Sequence, residues 1–161
     1  MARYVVARAD EIPDGARKIV EVAGRSLGVF NLSGEFFALR NRCPHQGGPL
    51  CEGKTWGLAQ ARVPGEITYS RAGEILTCAW HGWEFDIRTG RSWCDPDRLR
   101  VRRYEVSVEE GTALASCEAG RGSAARADDA APAPGLVPGP YTAETFAVTT
   151  EGSYLVVEIN A

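Results

Sequence analysis

Apolar and polar residues alternate along several short segments of the chain, and glycine-containing turns separate these segments. Such alternation predicts strands with one buried face, because successive side chains of a strand point to opposite sides of its sheet. The first part of the chain contains three such segments, with a tight turn at Ser33-Gly34 before the third: Arg17–Val22, Ser26–Leu32 and Glu35–Asn41.

The pattern continues in the middle of the chain. Ile75–Thr77 and Trp83–Ile87 are predicted strands on either side of a short loop, and Arg88–Arg91 has the composition of the turn that follows. Leu99–Val108 alternates over its whole length and should return to the main sheet. A turn is then expected at Glu109-Glu110-Gly111.

The composition changes near the end of the chain. Residues 118–140 are rich in Ala, Gly and Pro and offer almost nothing to bury, which is typical of a linker. A C-terminal hairpin is predicted over residues 143–160, with strands Glu144–Thr150 and Ser153–Ile159 that should rejoin the core. Because the chain has 161 residues and 44% apolar content, we expect a single domain over residues 1–161.

Charge and terminal sequence limit the classes of partner and the location. The net charge of −3 offers no electrostatic basis for binding nucleic acid or an anionic membrane, so the expected partner is another protein. Met1–Val6 lacks the apolar run of a signal peptide, and no segment reaches transmembrane length. The five cysteines are an odd number, which argues against a secreted disulfide framework. We therefore expect a cytoplasmic protein.

Two short loops contain both histidines of the chain, each together with a cysteine. Residues 43–50 read CPHQGGPL, with Cys43 and His45, and residues 78–83 read CAWHGW, with Cys78 and His81. Zinc sites usually group a cysteine pair and then a histidine pair, so the alternating order disfavours structural zinc. A Cys–His nucleophile pair would leave one loop without a role. The order fits a two-iron centre in which one iron takes two cysteines and the other two histidines.

The segments CPHQGGPLCEG and CAWHGWEFDIRTGR resemble the cluster loops of Rieske 2Fe-2S proteins, in particular Rieske ferredoxins and the N-terminal domains of ring-hydroxylating oxygenases. The resemblance implies an all-β fold: an antiparallel β-sandwich with a smaller cluster-binding subdomain, about residues 41–95, formed by two hairpin loops. It also implies one 2Fe-2S cluster, with Cys43 and Cys78 on one iron and His45 and His81 on the other.

The sequence departs from the family pattern in two places. Ala79 stands where a proline is often found, and the interval between the two loops is longer than usual. The extra length falls in an extended loop, about residues 52–72, which is expected to be a loop or short hairpin that either shapes a docking face or has no role. Trp80 and Trp83, on either side of His81, are expected to form a hydrophobic shell, or one of them is a contact anchor on a docking surface.

The remaining cysteines and Trp83 bear on the reduction potential. High-potential Rieske proteins have an extra cysteine in each cluster loop, which together form a disulfide, and a hydroxyl residue after the second His-Gly. Here the second loop has no second cysteine and Trp83 takes the hydroxyl position. We expect a potential at the low end of the Rieske range, about −150 mV. Cys51, Cys94 and Cys117 are expected to be buried or idle thiols, with a Cys51–Cys94 disulfide as the alternative.

The histidine count limits the function. A Rieske oxygenase needs a second iron site with two more histidines, and this chain has none to spare, so no independent catalytic site is expected. The resemblance implies the ferredoxin component of a dioxygenase system, which accepts single electrons from a flavin-containing reductase and passes them to a terminal oxygenase or another redox partner. Since imidazole ligands can release protons in the oxidised state, the potential should fall as pH rises.

Two alternatives belong to other functional classes. One is a small Rieske-like subunit of a multicomponent reductase, such as an assimilatory nitrite reductase, acting mainly in assembly or regulation. The other is a sensor of oxidants, which is disfavoured because the chain lacks a DNA-binding segment.

Overall fold

The computed structural model describes residues 2–93, 95–118 and 152–159, and these residues form nine strands, one α-helix and two short 3-10 turns. Every strand pairing is antiparallel, so the predicted all-β fold is confirmed. The elements are β1 (Ala2–Arg8), β2 (Arg17–Val22), β3 (Arg25–Leu32), β4 (Glu35–Arg40), β5 (Lys54–Ala61), β6 (Ile67–Thr77), β7 (Glu84–Asp86), β8 (Arg103–Glu110), α1 (Gly111–Glu118) and β9 (Ser153–Ile159).

Six strands form the larger sheet in the order β1-β9-β8-β4-β3-β2. β8 joins its two halves: it pairs along Glu105–Glu110 with β9, but only at Tyr104 and Arg103 with β4. The two halves bury their inner faces in one shared core, as in a sandwich, through Ala7, Val22, Leu27, Val29, Ala38, Tyr104, Leu155, Val157 and Ile159. The predicted strand Ser153–Ile159 does rejoin the core, between β1 and β8.

The turns between β2, β3 and β4 follow from their sequences. Ala23 and Gly24 have φ of 49° and 70°, and Ser33 and Gly34 have φ of 56° and 86°. Positive φ at both central residues is the type I′ geometry, whose twist matches that of the flanking strands. These hairpins fix the register of β4, which leads directly into the first cysteine–histidine loop.

A smaller sheet, β5-β6-β7, contains the second loop. Its apolar side and the inner ends of β3 and β4 enclose a second core, which includes Phe30, Leu39, Cys43, Leu50, Leu76, Cys78, Phe85 and Ile87. Both predicted ligand cysteines lie in this core, so the smaller subdomain is built around the two loops.

The prediction of an extended loop at residues 52–72 is wrong for most of this segment. β5 and the first part of β6 form a hairpin across this segment, and only residues 62–66 connect them. Pro64 and Gly65 lie at that turn, and Gly57 and Gly73 lie at a β-bulge, where the register shifts before the pairing resumes. The prediction of a hairpin was therefore correct in kind, but the hairpin is long.

Three further comparisons concern the ends of the chain. β1 was not predicted. The turn expected at Glu109-Glu110-Gly111 is wrong, because β8 continues to Glu110 in its ladder with β9 and the Ala- and Leu-containing segment after it forms α1. Residues 119–140 and the predicted strand Glu144–Thr150 lie outside the described residues. In the part of the chain that is described, no helix has the length and hydrophobicity needed to cross a membrane.

Candidate metal centre

The two cysteine–histidine loops are closed by the same pair of backbone hydrogen bonds. In the first loop the N–H of Gly47 donates to the carbonyl of Cys43, and the N–H of Cys43 donates to the carbonyl of Gly48, both at 2.8 Å. In the second loop Gly82 donates to Cys78 at 2.9 Å and Cys78 donates to Trp83 at 2.8 Å. The two loops are therefore equivalent in backbone geometry, although Cys and His are separated by one residue in the first and by two in the second.

A glycine is required at the closing position of each loop. Gly47 and Gly82 have φ of 82° and 68°, in the left-handed region that residues with a side chain rarely adopt. The chain can turn back on itself there, which places His45 and His81 between the buried cysteine and the closing glycine of each loop.

The loops pack against each other and bring their histidines together. The ring centroids of His45 and His81 are 5.0 Å apart and the planes are nearly perpendicular, at 89°. The His45 ring also lies 4.8 Å from the Trp83 ring. A Cβ built on Gly48 would lie 2.7 Å from the Trp80 ring, so the second loop closes over the first at a position where only glycine fits.

The two cysteines lie beneath the histidines. Cys43 and Cys78 are each 2% exposed, whereas His45 is half-buried and His81 is exposed. Burial raises the pKa of the Cys43 thiol, and a hydrogen bond with the Cys78 side chain raises it further. The sulfurs are thus neighbours inside the subdomain, and the imidazoles are neighbours at its surface.

An unpartnered buried nitrogen tests whether these residues fit a metal group. Nδ1 of His45 is buried and has no hydrogen-bond partner among the described residues. Buried polar atoms in native proteins are nearly always satisfied, so this nitrogen calls for a partner that is not a protein atom, such as a metal.

The donor set fits a cluster better than a single ion. Within residues 2–93, 95–118 and 152–159, no three His, Cys, Asp or Glu side chains converge as the ligands of one metal ion would. A two-iron cluster takes only two side chains on each iron, and the four side chains lie in two such pairs. The chemistry and placement of the residues therefore fit a 2Fe-2S cluster.

The two tryptophans have different environments. Trp83 is half-buried and packs against the subdomain core, as expected of a hydrophobic shell. Trp80 is 58% exposed and lies beside the histidine pair, with its ring perpendicular to that of His81 at 6.3 Å. Trp83 therefore has the packing expected of a shell residue, whereas the contact-anchor role of Trp80 stays a prediction.

An ion-pair network that the sequence analysis missed supports the second loop. At the β-bulge in β6, Arg71 bonds to Glu74 at 2.7 Å and to the buried Asp86 at 2.8 Å. Arg88 bonds to the same Glu74 at 3.2 Å and also pairs with Glu35 of β4. The network ties β6, β7 and β4 together below the loops. The only sequence signal was the presence of acidic residues inside apolar strands.

Cys51 is a free thiol buried in the same subdomain. It is fully buried, and its sulfur lies 3.8 Å from the carbonyl oxygens of Leu39 and Arg40. Burial raises the pKa of this thiol to about 12. Cys51 forms no disulfide within the described residues. Cys94 and the side chain of Cys117 lie outside what the structure describes, so the predictions for them stay predictions.

The buried Cys51 thiol predicts a change of stability with pH. Its ordinary pKa is 9.0, so between pH 9 and the folded-state value of about 12 only the unfolded chain releases the proton. The free energy of unfolding should therefore fall above pH 9 by up to about 1.4 kcal/mol per pH unit from this group. Urea unfolding of the wild type and of Cys51→Ala, from about pH 8 to about pH 10, should show the smaller loss in the variant. Parallel pH profiles would contradict this assignment.

Comparisons with known proteins agree with the geometry. Residues 2–105 match the family model described as Rieske [2Fe-2S] domain. The chain is 29% identical over 111 residues to the 3-phenylpropionate/cinnamic acid dioxygenase ferredoxin subunit of Photorhabdus laumondii, a match covering 69% of this chain and 90% of that protein.

Two solved structures are similar as well. The Sphingomonas yanoikuyae B1 ferredoxin gives a TM-score of 0.51 at 26% identity, over 68% of this chain and 92% of that one. The ferredoxin of carbazole 1,9a-dioxygenase from Nocardioides aromaticivorans IC177 gives 0.52 at 25% identity, over 68% and 91%. Because the family model matches more than half of its length, the chain belongs to the Rieske [2Fe-2S] domain family and carries one Rieske-type 2Fe-2S cluster.

Proposed function

We propose that this protein is the ferredoxin component of an oxygenase system. It accepts one electron at a time from a flavin-containing reductase and delivers it to a terminal oxygenase. The observation that carries the proposal is the exposed histidine edge: His81 reaches the surface while Cys43 and Cys78 stay buried. Relatives that match along most of their length are ferredoxin components of dioxygenase systems, which supports the same role.

The four residues divide between the two irons by their position. Cys43 and Cys78 would hold one iron, and His45 and His81 would hold the other. The contact between the two thiols and the 5.0 Å separation of the imidazole rings support this division. The orphaned Nδ1 of His45 supports nitrogen ligation at that residue.

The protein residues around the site position the ligands and control access. The bound cluster supplies one-electron redox chemistry. The matching hydrogen bonds that close the loops keep both cysteines and both histidines in place, so little rearrangement accompanies a change of charge. Trp83 covers His45 and excludes water from the inner side. His81, exposed beside Trp80, leaves a short path for an electron to a docked partner.

Domain extent and location are also part of the proposal. We infer that residues 1–161 form a single domain, since β9 near the C-terminus lies between β1 and β8. We place the protein in the cytoplasm. The free thiol of Cys51 supports a reducing compartment.

The function is tested by reconstituting electron transfer. The purified protein, characterised by its EPR spectrum and by its iron and sulfide content, is added in increasing amounts to a flavin-containing reductase and a terminal oxygenase. Reduction of the oxygenase should rise in proportion to the added protein. A preparation with a full cluster that does not increase this rate would instead favour a role in assembly or regulation, as in a reductase subunit.

The reduction potential is a separate prediction. With Trp83 in place of a hydroxyl donor, we expect a midpoint at the low end of the Rieske range, about −150 mV, by protein-film voltammetry. Hydrogen bonds to the cluster sulfurs stabilise the reduced state, and here one donor is missing. A midpoint well above zero would contradict this prediction.

A further inference from the structure

Five arginines lie on adjoining segments of the chain, and one of them immediately precedes the first cluster loop. Arg91 and Arg100 face each other in an antiparallel bridge. Arg102 follows two residues later, and its carbonyl accepts a 2.8 Å hydrogen bond from the N–H of Arg40. Arg42 lies two residues beyond Arg40, just before Cys43. We call these five residues the arginine band. Arg40 is half-buried and the other four are exposed.

The arginine band has no ion pairs among the described residues, although Asp95 and Asp97 lie on the connection between Arg91 and Arg100. No member forms an ion pair with any residue in the described part of the chain, and Arg102 instead stacks over the Tyr104 ring at 5.5 Å. By contrast, Arg71 and Arg88 of the same subdomain are fully paired. Like charges opposite each other on neighbouring strands are destabilising, so the arrangement gives the fold no advantage. It concentrates positive charge on a chain whose net charge is −3.

The band reaches the histidine edge. A Cβ built on Gly47 would lie 3.4 Å from Nε of Arg42, so this guanidinium runs along the loop that carries His45. On the other side of the loop, the exposed Trp80 covers Gly48. The surface of the cluster loops therefore combines the exposed Trp80 with the guanidinium of Arg42, the member of the band that precedes Cys43. Aromatic residues and arginine are the types most enriched at the centres of protein interfaces.

We propose that the arginine band is the docking surface for an acidic face of the protein that exchanges electrons with the cluster. The inference rests on the proposed function and adds the sign of the charge that the partner must present. A protein face fits better than nucleic acid, because the net negative charge of the whole chain repels an extended polyanion, while a local acidic patch meets only the band. Complementary charge at such an edge speeds encounter and fixes orientation.

The first test needs no partner protein. The chemically reduced holoprotein is mixed with ferricyanide in a stopped-flow instrument; one electron leaves the cluster, which returns to its oxidised state, and ferricyanide becomes ferrocyanide. If the band makes the local electrostatic potential positive, it attracts the ferricyanide anion, and added salt screens this attraction. The rate should then fall at least about fivefold between about 10 mM and about 500 mM salt. A rate that instead rises with salt, as a net charge of −3 alone requires, would overturn the proposal.

Matched variants locate the effect. Arg42→Gln combined with Arg102→Gln should flatten most of the salt dependence with ferricyanide. Arg62→Gln is the control, because Arg62 is exposed at the far turn of the β5–β6 hairpin. It lies roughly 25 Å along the strand from Lys54, which pairs with Thr77 next to the second cluster loop. Arg62→Gln removes one charge and the double variant removes two, so an effect of Arg62→Gln at least half as large as that of the double variant would show that only overall charge matters and would overturn the proposal.

A binding measurement identifies the class of partner. Calorimetric titration at low salt uses poly-L-glutamate as the acidic-protein probe and a short DNA duplex as the competing polyanion. The proposal expects glutamate binding that weakens at least about fivefold in the double arginine variant but not in Arg62→Gln. No binding of poly-L-glutamate, or tighter binding of DNA, would overturn it. If the wild type cannot reduce an oxygenase at all, the proposed function fails, whereas working transfer with the wrong salt dependence refutes only the band.

Discussion

Replacing Cys78 by alanine is expected to abolish cluster binding. The side chain is 2% exposed and lies beside Cys43. Under the proposed ligand assignment, its removal would leave one iron with a single protein ligand. Removing even a supporting residue of a metal site costs about 10–100-fold in affinity, and losing a ligand costs more. Iron and sulfide per chain, the visible absorption of the oxidised protein and the EPR signal of the reduced protein should all fall to background.

Cys51→Ala is the matched control for this prediction. Cys51 is equally buried in the same core, but its sulfur contacts carbonyl oxygens of β4 and not the ligand cysteines. This variant should keep a full cluster and lose only about 1 kcal/mol of stability through the small cavity. If Cys78→Ala retained iron and sulfide, or if Cys51→Ala lost them to the same extent, the ligand assignment would be wrong.

Replacing Gly53 by alanine is expected to destabilise the cluster subdomain by about 3 kcal/mol, near the upper limit for overpacking. A Cβ at Gly53 would lie 1.8 Å from the carbonyl oxygen of Thr77 and 3.2 Å from that of Leu50. These are backbone atoms that cannot rotate away. Thr77 pairs with Lys54 at the end of the β5–β6 ladder and precedes Cys78, so any shift that relieves the clash also moves a proposed ligand.

Urea unfolding and the temperature at which the cluster absorbance disappears measure this effect. Gly24→Ala in the β2–β3 turn is the control, because its φ is 70° but a Cβ would meet nothing within 4 Å. That substitution should cost only about 1 kcal/mol, from backbone strain. Gly53 has φ of −69°, so a loss at this position reports the steric clash alone. Equal losses in the two variants would contradict the role given to the close approach.

The candidate ligands could be recognised from the sequence because the chemistry constrains their order. Two loops that each pair one cysteine with one histidine leave few alternatives to a cluster with divided ligation. The strands Arg17–Val22 and Ser153–Ile159 were predicted with the bounds that the structure shows. Period-two alternation reports local geometry, and the side chain of every residue in such a segment contributes to the signal.

Other features depended on contacts between distant parts of the chain. The hairpin at residues 54–77 is paired across a bulge, and its exposed outer end lacks the alternation that burial imposes. Trp80 and Trp83 differ by three positions, yet Trp80 covers the first loop from outside and Trp83 packs against the core. Their different environments depend on how the two loops pack together, and no local pattern records this.

The sequence by itself determined the all-β class, most strand positions and the four residues that suit an iron–sulfur cluster. The tertiary structure alone decided that the histidines meet at the surface above the buried cysteines, that an ion-pair network joins β4, β6 and β7, and that five arginines separated by up to 62 positions form one band. The physical reason is that ligand chemistry and strand periodicity are properties of near neighbours in sequence, whereas charge density and exposure depend on which strands pair.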